Sequence, residues 1–141
     1  MGMYTELNIG VEVESEPKVI NILKYMLGDT ETFPELDDNV LFNTDRWKWM
    51  LRSDSYYFDA QTDSKLFVDE LHGKDKPMYY LNVRCNLKNY CEEIDKFLNW
   101  LSPYIKTYGF IGYTRYEEYE DPTLLYKTEE GITYKNVEET S

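Results

Sequence analysis

The segment Leu7-Asn8-Ile9-Gly10-Val11-Glu12-Val13 returns 74 residues later as Leu81-Asn82-Val83-Arg84-Cys85-Asn86-Leu87. Both copies alternate apolar and polar residues, which is the period of a half-buried strand. Leu7, Ile9, Val11 and Val13 should share one face, and so should Leu81, Val83, Cys85 and Leu87. A helical pattern follows each copy at the same offset. The first starts near Ser15 or Glu16, with Pro17 in the first turn, where a missing N–H does no harm. Its apolar stripe is Val19, Ile20, Leu23, Met26 and Leu27, and Gly28 stands where a left-handed C-terminal residue belongs. The second is predicted to start at Asn89 as N-cap, with Glu92 three residues on. Its stripe is Cys91, Ile94, Phe97, Leu98 and Leu101, and Pro103 marks its end. Ile20 aligns with Ile94, Leu23 with Phe97, and Leu27 with Leu101. Strand followed by helix, twice in one register, points to a duplicated unit.

Further strands are expected after each helix. Arg46–Arg52, Tyr56–Ala60 and Lys65–Asp69 follow the first, and Phe110–Glu118, Thr123–Lys127 and Ile132–Val137 follow the second. Glu130-Gly131 reads as a hairpin turn. The 14 tyrosines suit such strands, since a ring can pack while its hydroxyl stays wet. The expected fold class is α+β: an antiparallel sheet with two helices on one face, a pseudo-duplicated β-α-β-β chain of ferredoxin-like or clamp-like order. Residues 1–141 read as a single domain, with halves at about 3–69 and 79–137 and an acidic loop over 29–45.

Charge is unevenly placed. Of the net -12, segment 29–45 contributes six acids and no Lys or Arg, and segment 117–141 contributes eight acids against Lys127 and Lys135. The remainder is balanced. Such a surface disfavours direct nucleic-acid binding and suits a basic partner. No apolar run approaches the roughly 20 residues of a membrane helix. Residues Met1 to Glu6 lack the basic and apolar parts of a secretory leader, so a cytoplasmic protein is expected. Cys85 and Cys91 make no disulfide framework and read as small buried hydrophobes.

Catalytic signatures are missing. His72 is the only histidine, which excludes two-histidine metal motifs. Asp37-Asp38-Asn39 lacks the glycine and terminal Glu of a calcium loop. There is no nucleophile elbow and no glycine-rich phosphate loop. Neither a catalytic residue nor a cofactor or metal is therefore expected, and an enzyme using carboxylates with a divalent metal ranks last among the readings.

Two surfaces remain as candidates. The stretch Glu117-Glu118-Tyr119-Glu120-Asp121, closed by Pro122, interleaves carboxylates with a tyrosine and can imitate a phosphate backbone. A basic or nucleic-acid-handling protein would find it attractive. The alternative lies on the sheet face away from the helices. Strand parity puts Asn82, Arg84 and Asn86 there, with Arg52 and Arg115 expected beside them and Asn8 and Glu12 joining. That face could hold an anionic or amide-rich small ligand, such as a nucleotide-like signal.

Three segments, Asp45–Arg52, Tyr80–Tyr90 and Gly109–Glu118, resemble small proteins encoded by phages and prophages of Gram-positive bacteria. The resemblance runs from Tyr4 to about Tyr134 and carries no site residues with it. It implies a phage accessory protein in the host cytoplasm, binding and inhibiting a host defence or nucleic-acid-handling protein.

Overall fold

Leu7, Ile9, Val11 and Val13 are all buried, while Gly10 between them is exposed, so the alternation along the first segment becomes one apolar and one polar face. In the computed structural model, which describes residues 4–55, 58, 61–70, 77–89 and 91–137, this segment is strand β1 (Thr5–Val13). Helix α1 (Pro17–Leu27) follows, then β2 (Lys65–Asp69), β3 (Met78–Leu87), α2 (Glu93–Leu101), β4 (Gly109–Tyr116), β5 (Thr123–Thr128) and β6 (Gly131–Asn136). The fold is α+β, a six-stranded antiparallel sheet in the order β2-β3-β1-β4-β5-β6 with two helices. The first four strands and both helices have the ferredoxin-like split order, in which β1 and β2 run parallel with β3 between them. β5 and β6 extend the sheet beyond β4.

One core joins both halves. The buried faces of β1 and β3 meet Val19, Ile20, Leu23 and Met26 of α1 and Ile94, Phe97, Leu98 and Leu101 of α2. Full burial of each such side chain stabilises by roughly 1.5–3 kcal/mol. Glu16, extended and without a side-chain cap bond, precedes α1, and Pro17 opens it. Gly28 closes it in the left-handed region at φ 80°. A bulge between Phe110 and Gly112 shifts the register of the β4–β5 ladder. Gly112 has φ +152°, and a Cβ there would lie 1.9 Å from the Asn8 carbonyl oxygen, so only glycine fits.

Several sequence expectations are corrected. Arg46–Arg52 is not a strand but a turn leading into a 3-10 turn over Met50–Arg52. Trp47, Met50 and Leu51 are buried and Trp49 is half exposed, so the spacing is helical and the aromatic alternation misleads. The first half therefore supplies only β1 and β2 among the described residues. The proposed strand Tyr56–Ala60 lies outside the described residues except for Phe58, and His72 lies outside them altogether. α2 begins at Glu93 rather than after Asn89. The Asn89 side chain still caps it, accepting from the Ile94 N–H at 2.9 Å, but Glu92 sits in the left-handed region at φ 55° and cannot complete a capping box. Cys91 precedes the helix and is exposed, whereas Cys85 is buried as expected. β4 ends at Tyr116, and Glu117 and Glu118 belong to the turn after it.

Candidate functional site

The sheet face away from the helices carries a hollow centred on β1 and β3. Its floor is Asn8-Ile9-Gly10 and Asn82-Val83-Arg84, and its wall is Gln61, Thr62 and Asp63. The cavity measures about 670 Å³. The two floor triplets are repeat-equivalent, each residue 74 positions from its counterpart. The ladder sets Asn8 opposite Arg84 and Gly10 opposite Asn82, around the Ile9–Val83 pair. Equivalent carboxamides thus lie diagonally across a local two-fold. The equivalence breaks at Gly10 and Arg84, where one half offers an opening and the other a cation.

Gly10 makes the hollow. A Cβ there would have only the Asn82 Oδ1 nearby, at 3.7 Å, so the backbone does not require glycine and the missing side chain leaves room. Sequence reasoning did not single out Gly10, although a lone glycine on the polar face of an alternating strand is the signal of a close approach. Gln61, Thr62 and Asp63 were also missed, since their place depends on the chain folding back along β3. That return is fixed by the Asp63 N–H donating to the Arg84 carbonyl oxygen at 2.9 Å and by the Arg84 N–H donating to Ser64 Oγ at 3.2 Å.

The Arg84 guanidinium has no ion pair and no hydrogen bond within the described residues. Asn82 is exposed, and among the described residues the Asn8 side chain reaches only Tyr113, donating from Nδ2 to the hydroxyl over 3.4 Å. One cation and two amides therefore face the hollow with hydrogen-bonding capacity to spare.

The other expected members of this face are placed elsewhere. Arg52 leaves the sheet and donates from Nε to the Met26 carbonyl oxygen at 3.1 Å, complementing the C-terminal end of α1. Its expected position followed from reading Arg46–Arg52 as a strand, and it is withdrawn with that strand. Asn86 is on the face but buried at its end, accepting from Ser55 Oγ at 2.5 Å and donating to Asp54 Oδ1 at 3.3 Å. Arg115 is on the face too, but it pairs with Glu6 at 3.6 Å and covers the Phe58 ring at 5.0 Å.

The acidic stretch forms the β4–β5 turn. Glu117 is tied back to the start of the chain, its N–H donating to the Tyr4 carbonyl oxygen and its Oε1 accepting from the Tyr4 N–H at 3.1 Å. Glu118, Glu120 and Asp121 are exposed around Tyr119, itself 63% exposed. With Asn136 and Val137 they line a cleft of about 470 Å³.

Elsewhere three titratable groups are tied into the fold. Glu93 is fully buried, its Oε1 accepting from the Cys91 N–H at 2.9 Å and its Oε2 lying 3.8 Å from Arg46 Nη1. Burial holds the Cys85 thiol well above the usual thiol range, with Glu6 adding to the effect. Burial, and then the hydrogen bond donated to Asp95 at 2.7 Å, holds the Tyr134 hydroxyl protonated far into alkali. Among the described residues no group of three or more His, Cys, Asp or Glu side chains is placed to hold a metal ion, and no helix is long and apolar enough to cross a membrane.

No family model, curated protein or solved structure matches the chain.

Proposed function

We propose that this protein is a non-catalytic binding module that captures a small anionic ligand on the outer face of its sheet. The observation that carries this reading is Arg84: a guanidinium without a partner among the described residues, at the edge of a hollow floored by Asn8, Gly10 and Asn82, in a chain of net charge -12. Arginine recognises planar anions such as phosphate by paired N–H donors, and the two carboxamides can both donate to and accept from the edge of a ring. The ligand class that matches is a phosphate joined to an amide-bearing ring, as in a nucleotide. In the phage setting that the sequence resemblance implies, the activity would be sequestration of such a signal in the host cytoplasm.

The test is a thermal-shift and native mass spectrometry screen with inorganic phosphate, nucleoside monophosphates and cyclic dinucleotides. At a ligand concentration 100 times Kd, binding stabilises by about 2.7 kcal/mol, and the melting temperature rises accordingly. Arg84→Ala should abolish that rise. If no probe shifts the wild-type protein and no ligand is retained from a bacterial lysate, the reading fails.

A second reading rests on the β4–β5 turn, where exposed Glu118, Glu120 and Asp121 surround exposed Tyr119. This arrangement supports a docking surface for a basic, nucleic-acid-handling host protein, with Glu117 contributing charge from its anchored position. Reversing the charges of Glu118, Glu120 and Asp121 should then abolish capture of a host protein at low salt. Capture that is indifferent to both the reversal and the salt concentration would dismiss it.

A further inference from the structure

The outer face of the sheet does not end at the hollow. The ladders carry one row of residues across it: Arg84 of β3 faces Asn8 of β1, Asn8 faces Tyr113 of β4, Tyr113 faces Leu124 of β5, and Leu124 faces Lys135 of β6. Residues directly opposite in a ladder share a face, so Tyr113 and Lys135 lie on the same side as the hollow. Phe110 and Tyr126, themselves a facing pair, lie there too, because Tyr126 alternates with Leu125, which is buried in the core. Tyr113 meets the floor of the hollow directly, its hydroxyl accepting from Asn8 Nδ2.

Beyond Tyr113 the face offers a second place for a ligand, built on Tyr126. The Phe110 ring meets the Tyr126 ring edge-on at 5.7 Å, and the Lys135 ammonium lies over the Tyr126 ring at 4.7 Å. One partly buried tyrosine thus holds an exposed flat ring, Phe110, beside an exposed cation. Such a ring stacks nucleobases of any kind, and an ammonium next to it binds phosphate. Other cations that the strands put on this face are already paired, Lys65 with Asp63 at 3.6 Å and Arg115 with Glu6 at 3.6 Å. Arg84 and Lys135 have no ion pair among the described residues. Two cations suit two phosphates. A longer strand would bring more phosphates than this face has cations to meet them, against a net charge of -12.

We infer that the ligand of this face is a dinucleotide, with one phosphate at Arg84 and the hollow, its second base on Phe110 and its second phosphate at Lys135. The inference rests on the reading of the hollow as an anion site and extends that site across β4. The backbones of β3 and β6 are separated by the strands β1, β4 and β5, a span of about 19 Å. Lys135 shortens it by leaning inward over Tyr126 of the neighbouring strand. A single nucleotide at Arg84 leaves the Phe110 ring uncovered, whereas two linked nucleotides use both places.

Calorimetric titration of the full chain tests this, with guanosine monophosphate, 5′-phosphorylated diguanylate, cyclic diguanylate, their uridine counterparts and a longer oligouridylate as probes. A dinucleotide should bind about tenfold or more tighter than its mononucleotide, and the longer strand no tighter than the dinucleotide. Preference between the linear and cyclic probes tells an open ligand from a closed one, and either supports the inference. Lys135→Ala and Phe110→Leu should each weaken dinucleotide binding by about tenfold. Both should leave mononucleotide binding and the melting temperature in place, since both side chains are exposed. Phe110→Trp, which keeps a flat ring, should retain dinucleotide binding. Equal affinity for mononucleotide and dinucleotide overturns the inference and leaves the anion site at Arg84 standing. So does dinucleotide binding that is indifferent to Lys135→Ala and Phe110→Leu, or a longer strand that binds tighter still. If no probe binds, the inference falls together with the reading it rests on.

Discussion

Ile9 faces Val83 across the central ladder of the sheet, and a local two-fold through that pair relates β1 to β3. Ladder geometry then sets the polar residues one step away on the other face, so the hollow lies at the junction of the two halves and belongs to neither alone. Ligand sites often lie on such junctions because two similar edges converge there.

Filling the hollow is the cleanest intervention. Gly10→Val adds a side chain into open space, with its first carbon no closer than 3.7 Å to Asn82 Oδ1. Stability should hold or rise by about 0.5–1 kcal/mol, because glycine is a poor strand residue. Binding of any ligand found for the wild type should be lost. Paired thermal melts and titrations separate the two effects.

Arg52→Ala should destabilise by about 0.5–1.5 kcal/mol, the range for one hydrogen bond at a helix C-terminus together with its share of the helix dipole. Ligand binding should be unaffected, because the guanidinium lies against Met26 and Gly28 rather than on the sheet face. Urea denaturation alongside the ligand titration checks both halves of this expectation.

Arg46 and Glu93 should behave as a coupled pair. Arg46→Met leaves the buried Glu93 carboxylate without its cation and should destabilise by about 1–3 kcal/mol, below the range for fully buried pairs because the Arg46 side chain is partly exposed. Adding Glu93→Gln should recover part of that loss, since a neutral amide costs less to bury. A double-mutant cycle in urea reads the coupling directly.

Alkali should expose Cys85. Its thiol is held protonated in the fold, whereas in the unfolded chain it ionises near pH 8.5. The unfolded state therefore loses its proton first, and stability should fall as pH rises above about 8.5, at up to ~1.4 kcal/mol per pH unit for one group. Cys85→Val should flatten this stretch of the curve. Tyr134 adds a second decline above pH 10, which Tyr134→Phe should remove. Urea midpoints measured from pH 7 to 11 show both.

Gly112→Ala should be the most damaging small change in the sheet, at about 3–5 kcal/mol, because the new methyl collides with the Asn8 carbonyl oxygen. Loss of a cooperative melt in this variant, against a normal one for Gly10→Val, would show how differently two strand glycines are used.

What the residues disclosed in advance follows the periodicity. β1, β3 and both helices were legible because their apolar residues repeat over two turns or more, and Asn82 and Arg84 were placed correctly by parity alone. Arg52 was misplaced because Trp47 and Trp49 look like alternating strand residues, whereas the buried set is Trp47, Met50 and Leu51. Arg115 and Asn86 were assigned to the right face, but Glu6, Ser55 and Asp54 occupy their side chains, and such pairings are long-range facts. Gln61 to Asp63 form a wall only because the chain runs back beside β3, which no local pattern records.

The interleaving of the halves has a consequence for how the chain acquires its structure. Among the described residues β1 pairs with β3 and β4, and β2 pairs with β3 alone. The described residues of 4–70 thus contain no ladder of their own, and the strands among them must await sequence made later. Closing loops of this length before contacts can form slows folding and keeps apolar strand faces uncovered in the meantime. During synthesis the Leu7–Val13 face would stay unsatisfied until β3 emerged, so a chain halted before residue 78 should be a target for chaperones and proteases, not a half-sized folded unit.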